Sequence, residues 1–441
     1  MMTRRFSVQV SLAVVQAAVL LRPLALAAAP AQGSSCGQEF AYCTTDFDRV
    51  FRLYQYRIAH DGTLHPLKPP TIALKYEPWP SSFAAPGHRA LYVPLKGAIL
   101  QYHIENDGTL RPLAPASVPD SSVQNPVFAR GGRFVYADQV RGVILQYTVS
   151  ASGALRPLAP PSLESGHGGC LGLVLSPDGR TLYSLNYDCT IGQFRVGGDG
   201  RLSPLSPGAV PAAPPGQSIG PPHLALGPGA EYAYAAADGP WIKAWHAPES
   251  FLTVCRVRGD GTLQQLSTSA VRHIGGVLVQ GQTLFAWRRG IDQYHIASDG
   301  RLVPGKTVPA PGSAFAFTPS GRYAYQVGDG VYRYRCQPDG SLVLLSKDAH
   351  AFGDSVYVDP SGRFLYTRWY STRGGGVLQF KIGTDGQVTP LNPPSVSLAC
   401  TNLVIVRLPA PKPKGKAGAK PAARGTPGPK QSAGKGATKR R

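Results

Sequence analysis

Histidine, carboxylate and guanidinium side chains gather at two recurrent places in this chain of 441 residues. His167, His273, His350 and Asp354 each stand shortly ahead of an apolar run; Asp138, Arg141, Asp188, Arg288, Arg289, Asp329, Arg368 and Arg373 each follow one. Imidazole and carboxylate side chains can move protons, and guanidinium groups hold oxyanions, so such a set can form a polar site or simply a polar rim. The seven cysteines allow three disulfides and leave one thiol over. Cys170 and Cys189 flank one hairpin-like segment, and a disulfide between them is expected. Cys400 precedes the last apolar run and Cys36 or Cys43 flanks the run it is expected to pair with, so a bond there would latch the two ends of the fold. Cys255 and Cys336 replace apolar strand residues and read as buried thiols. No cysteine–histidine pair has metal-ligand spacing, and no Gly-rich loop opens a helix, so neither metal nor cofactor is expected.

The elements that carry these residues are written eight times. A phrase of the form Ile-Leu-Gln-Tyr-x-Ile-x-x-Asp-Gly-x-Leu-x-Pro-Leu recurs, with its glycine at Gly62, Gly108, Gly153, Gly200, Gly261, Gly300, Gly340 and Gly386. Most spacings lie between 39 and 47 residues, and one of 61 marks an insertion. Units of that length occur in propellers and in helical solenoids alike. Short runs rich in Tyr, Phe, Val and Ile, broken by turns such as Ser176-Pro177-Asp178-Gly179-Arg180 and Asp359-Pro360-Ser361-Gly362-Arg363, decide for hairpins. In the fourth unit four strands are predicted, at 171–175, 181–187, 191–196 and 201–205. The fold class predicted is therefore all-β, a β-propeller of four-stranded blades.

The first unit, beginning near Glu39, lacks an inner strand, while the chain ends on an unaccompanied one at Asn402-Leu403-Val404-Ile405-Val406. This C-terminal strand A is expected to complete the first blade, which gives eight blades and removes the free edges of an open array. If the unit around 207–251 is not a blade, the count is seven. A glutamine six residues before the Asp-Gly glycine's aspartate recurs as Gln55, Gln101, Gln146, Gln193, Gln293 and Gln379; it is read as satisfying backbone groups between neighbouring blades.

Composition supports this reading. Hydrophobic residues make up 43% and charged residues 16%, with 51 Gly and 42 Pro, which disfavours long helices. The net charge is +20, but ten of those charges lie in 409–441 and three at Arg4, Arg5 and Arg22, which leaves +7 for the body. No basic stripe remains, so sequence-specific nucleic-acid binding is not expected. Residues 1–31 have the basic start, apolar run and small-residue end of a secretory signal peptide, and the sixteen-residue apolar run is shorter than the ~20 a transmembrane helix needs. The expected domains are this signal peptide, a propeller over 38–408, and a basic tail over 409–441 without residues to bury, suited to acidic polymers. The location expected is secreted or periplasmic.

Units that join Ser-Pro-Asp-Gly-Arg-x-Leu-Tyr to a strand ending in Asp-Gly-x-Leu resemble the lactonase family of propellers, typified by bacterial 6-phosphogluconolactonase, over about residues 38–408. That family has seven blades, so an eighth departs from it. Its diagnostic stretch, Gly-Pro-Arg-His before a strand A and Tyr-x-x-Asn-Glu at the end of the next strand B, corresponds here to Gly220-Pro221-Pro222-His223 and to the segment ending in Asp238. The resemblance assigns catalytic roles to His223 and Asp238, while Pro222 stands where the family has Arg. His167, Asp188, Arg288, Arg289, Arg368 and Arg373 would line the same rim, and Trp241, Trp245 and His246 of the insertion lie beside it.

Two functions follow as expectations. The first is an exported binding module for a small-molecule or glycan ligand, or for an envelope protein. The alternative is a secreted hydrolase of a lactone or similar cyclic ester, with His223 and Asp238 activating water.

Overall fold

The alternating Tyr, Phe and Val runs fold as strands because one face of each can bury against the next blade while the backbone pairs laterally. A computed structural model describes residues 37–45, 50–79, 82–119, 123–139, 142–165, 169–214, 223–238, 250–271, 274, 276–287, 290–308, 312–348, 352–371, 374–397 and 400–409. They form eight four-stranded antiparallel sheets. The unit carrying the insertion is a full blade: His223–Leu226, Tyr232–Asp238, Ser250–Val257 and Leu263–Val271 pair in that order. The count is therefore eight.

Blade 1 is built from both ends of the described chain. Glu39–Thr45, Arg52–Ile58 and Leu64–Ala73 are its strands B, C and D, and Asn402–Arg407 is its strand A. The closing strand pairs antiparallel with the first, Tyr42 opposite Val404 and Thr44 opposite Asn402. The Cys43–Cys400 disulfide, with Cα atoms 5.7 Å apart, joins the two just before that ladder begins. Of the two partners the sequence offered for Cys400, Cys43 takes the role; Cys36 lies outside the described residues.

The Cys170–Cys189 disulfide does not form, and the reason is which side each thiol faces. Cys170 packs in the apolar layer between blades 3 and 4, with Val127, Phe134 and Leu182. Cys189 packs in the layer between blades 4 and 5, with Ala233, Ala235 and Phe251. The blade itself stands between them. Cys255 is buried as expected, and Cys336 is partly buried.

Two bonds recur from blade to blade and define the seams. A tyrosine stands at one equivalent position of strand B in seven blades, and its hydroxyl donates to the carbonyl of the glycine in the next blade's C-to-D turn. Tyr42 reaches Gly108 at 2.7 Å, Tyr183 reaches Gly261 at 2.8 Å, and Tyr366 reaches Gly62 at 2.7 Å, so the last blade locks onto the first. Phe285 stands at that place in blade 6.

The glutamines make the second bond. In blade 4 the pairing of strands C and D shifts between Gly192 and Phe194, leaving Gln193 inside a bulge. Its amide nitrogen donates to Pro207 O at 3.0 Å across the bulge, and its amide oxygen accepts the N–H of Leu263 in blade 5. Gln55, Gln101, Gln146 and Gln379 repeat both bonds with their own prolines and with Leu110, Leu155, Leu202 and Leu64. This bridging lets strand D run on, so it spans Leu202–Pro211 in blade 4 where the sequence suggested an end at 205. The side chains are consumed by the frame, as the sequence reading held.

Candidate functional site

Because the strands alternate in direction, the D-to-A and B-to-C connections share one end of the ring, and the A-to-B and C-to-D turns share the other. Backbone bonds between the first set show this: Leu74 N reaches Phe51 O at 2.9 Å, Ser165 N reaches Gly142 O at 2.6 Å and Ala212 N reaches Cys189 O at 2.9 Å. We call this end the mouth and the other the turn end.

His223 opens strand A of blade 5 at the mouth, half-buried and opposite Ala236. Asp238 is the last residue of strand B, opposite Ser250 and two positions past the partner of His223. Ser250 Oγ accepts the N–H of Ile274 at 3.0 Å and ties this corner to blade 6. Pro222 and the insertion with Trp241, Trp245 and His246 lie outside the described residues. So do His167, His273, Arg288, Arg289, His350, Arg373 and Arg141.

The described rim residues have local tasks. Asp188 is exposed, and one of its oxygens accepts both the N–H of Thr190 at 3.1 Å and its hydroxyl at 2.6 Å, which fixes the B-to-C turn. Arg368 grips Asp354 through Nε at 2.8 Å and a second guanidinium nitrogen at 2.7 Å, and donates to Thr401 O. Its side chain is 17% exposed, and it clamps blade 8 to the approach of the closing strand. Thr401 N–H donates to Thr44 O at 2.8 Å beside the disulfide. Asp329 is held by Lys347 at 2.8 Å and Tyr332 at 2.6 Å, which keep its carboxyl below the usual range.

Asp138 differs from all of these. The sequence placed it after a strand B as one of many rim residues, yet it is 1% exposed, on the strand Phe134–Gln139. One carboxyl oxygen accepts from Asn125 Nδ2 at 3.3 Å; the other has no hydrogen-bond partner in the protein. Burial pushes its pKa up to about 7, against the pull of the Asn125 bond. Ser165 Oγ is likewise buried without a partner. Cys170 lies close enough to feel the Asp138 charge, which adds to burial in raising its thiol to about 12. No sequence pattern marks this acid, because its burial comes from blade 4 closing over blade 3. Among the described residues no group of three His, Cys, Asp or Glu is placed to hold a metal ion.

No family model and no curated protein matches the chain. Solved structures do. A periplasmic gluconolactonase of Pseudomonas aeruginosa is 20% identical, with a TM-score of 0.51 over 71% of this chain and 96% of its own. A putative 6-phosphogluconolactonase of Bacteroides fragilis is 15% identical, with a TM-score of 0.51 over 85% and 99%. A protein from Lactobacillus plantarum is 16% identical, with a TM-score of 0.54 over 84% and 100%. The chain shares the lactonase-type propeller fold. No helix among its described residues is long and apolar enough to cross a membrane.

Proposed function

We propose that the protein is an exported lactonase-like propeller that binds a ligand at its mouth, a sugar-like small molecule, a glycan or an envelope protein. The observation that carries this reading is the employment of the mouth's described charges. Arg368 is spent on Asp354 and Thr401, Asp188 on its own turn, and Pro222 stands where related propellers have a cation. A lactone hydrolase needs a donor aimed at the developing oxyanion. Among the described residues the guanidinium of Arg368 is already engaged, and His223 then serves as a recognition group. Export of the chain after removal of 1–31 is supported by the Cys43–Cys400 bond, since such bonds persist in oxidising compartments. The 409–441 segment, rich in Lys and Arg, then serves as an anchor to acidic envelope polymers.

Hydrolysis of a lactone or similar cyclic ester is the second reading. It is favoured by His223 and Asp238 at neighbouring positions. One preparation tests both: the full mature chain and His223→Ala, each assayed for turnover and for equilibrium binding across unphosphorylated sugar and aliphatic lactones. Binding without turnover, weakened about tenfold in the variant, is the expected result. Turnover abolished by His223→Ala replaces the binding reading with the hydrolase.

A further inference from the structure

The turn end carries a cavity where the repeat is broken. The glycine of each C-to-D turn abuts a residue at the start of the preceding blade's strand B. That residue is aromatic at five seams, Phe40, Phe134, Tyr232, Tyr323 and Phe364, and threonine at two. At the seam between blades 2 and 3 it is Ala90, whose Cβ faces Gly153 with Leu113 beside it. Next to this seam lies a cleft of about 460 Å³ walled in part by Gly87, His88, Arg89, His103, Arg111 and Ser152. His103 pairs laterally with both Ala90 and Arg111, so one row of strands B, C and D presents these groups to the turn of blade 3.

The arginine tells what the cleft lacks. Arg133, Arg322 and Arg363, each directly before an aromatic, stack over that ring at 5.1 to 5.9 Å and are exposed. Arg89 occupies the same place before Ala90 and has no ring to stack on. It is half-buried, held by one bond from its terminal nitrogen to Asn106 Oδ1 at 2.6 Å, and its Nε is buried with no hydrogen-bond partner. Asn106 is neutral, so the guanidinium charge has no counter-ion there. Arg111 is paired with Glu105 at 2.7 Å. The corresponding groove between blades 1 and 2, where Phe40 is present, is about 330 Å³, and Asp107 faces its Arg57, His65 and Lys68.

We infer that the cleft between blades 2 and 3 is a binding site for a sugar-sized ligand bearing an oxyanion, a carboxylate or a phosphoryl group. The Arg89 guanidinium donates to the anion, with Arg111, the two imidazoles and the Ser152 hydroxyl around it. This site is separate from the mouth and does not depend on the function proposed for it.

Titration calorimetry of the full mature chain with gluconate, inorganic phosphate and neutral glucose tests the inference. One or both anions bind, and glucose does not; which anion binds identifies the oxyanion. Arg89→Gln weakens binding by about tenfold or more. Arg322→Gln, which removes a stacked arginine elsewhere, leaves binding unchanged. Absence of anion binding up to about 10 mM, or affinity equal in wild type and Arg89→Gln, overturns the inference.

Discussion

At the turn end the seams are nearly interchangeable: a tyrosine hydroxyl, a glycine carbonyl and a ring against that glycine recur around the circle. At the mouth the described corners differ from one another. Blade 8 has an arginine clamp, blade 1 the disulfide, blade 3 a buried acid, blade 4 an aspartate that caps its own turn. The difference teaches that the frame is specified by the turn end and the glutamine bulges, which leaves the mouth free to diverge. Stability should therefore respond to frame changes in a similar way at every seam, and to mouth changes in ways peculiar to each blade.

The largest test breaks the mouth's strongest peculiarity. The Cys43–Cys400 bond closes a loop of 357 residues, so its removal by Cys43→Ala with Cys400→Ala should cost about 5 kcal/mol. Denaturant unfolding of the variant measures this; a loss under about 1 kcal/mol would mean that the strand pairing and the Arg368 clamp close the ring unaided.

Next comes Asp138. An unfolded aspartate loses its proton near pH 4, whereas the folded one keeps it until about pH 7. Between those values the folded state binds the extra proton, so rising pH disfavours it. Unfolding free energy should fall by up to about 4 kcal/mol from pH 4 to pH 8, and Asp138→Asn should remove that part of the decline. Glu39 is also raised, by burial and by Asp359, so the difference between the two proteins is the quantity to follow. Identical pH profiles would place the Asp138 charge in contact with solvent.

A frame residue comes third. Gln193→Ala leaves Leu263 N–H and Pro207 C=O without their partner inside the seam, for a cost of about 2–3 kcal/mol, and Gln101→Ala should cost the same within about 1 kcal/mol. Unequal values at these two blades would undo the idea of interchangeable seams. The smallest effect is expected at the rim, where Asp188→Ala removes an exposed turn cap and should shift unfolding by less than about 1 kcal/mol.

Much of the frame was legible because it is periodic. The Asp-Gly glycines set the eight blades, and the missing strand before Glu39 with the spare one at Asn402 set the closure. The glutamine role followed from where strand C sits. The cysteine pairing at 170 and 189 failed because nearness along a hairpin says nothing about which side of the blade a residue faces; Cys189 stands three residues past the partner of Cys170, in a turn with positive φ. The tyrosine-to-glycine bonds carried a readable signal, a tyrosine at the equivalent position of seven strands B, that only the ring geometry turns into a contact. Asp138 was illegible because it acquires its character from burial between blades, whereas Ala90 interrupts the row of ring residues in the sequence itself, and its place beside the next blade's glycine shows only in the assembled seam. The mouth positions His223 and Asp238 came from resemblance and not from period, since loop residues at that end follow no repeat.

The closing strand sets a timetable. Synthesis delivers the outer three strands of blade 1 first and their inner partner, Asn402–Arg407, last. Until the ribosome has passed residue 407, strand Glu39–Thr45 has an open edge, and neither Tyr366 nor Gln379 has closed its seam with a complete first blade. A premature stop anywhere before that point yields no ring, so length alone acts as a quality check on the product.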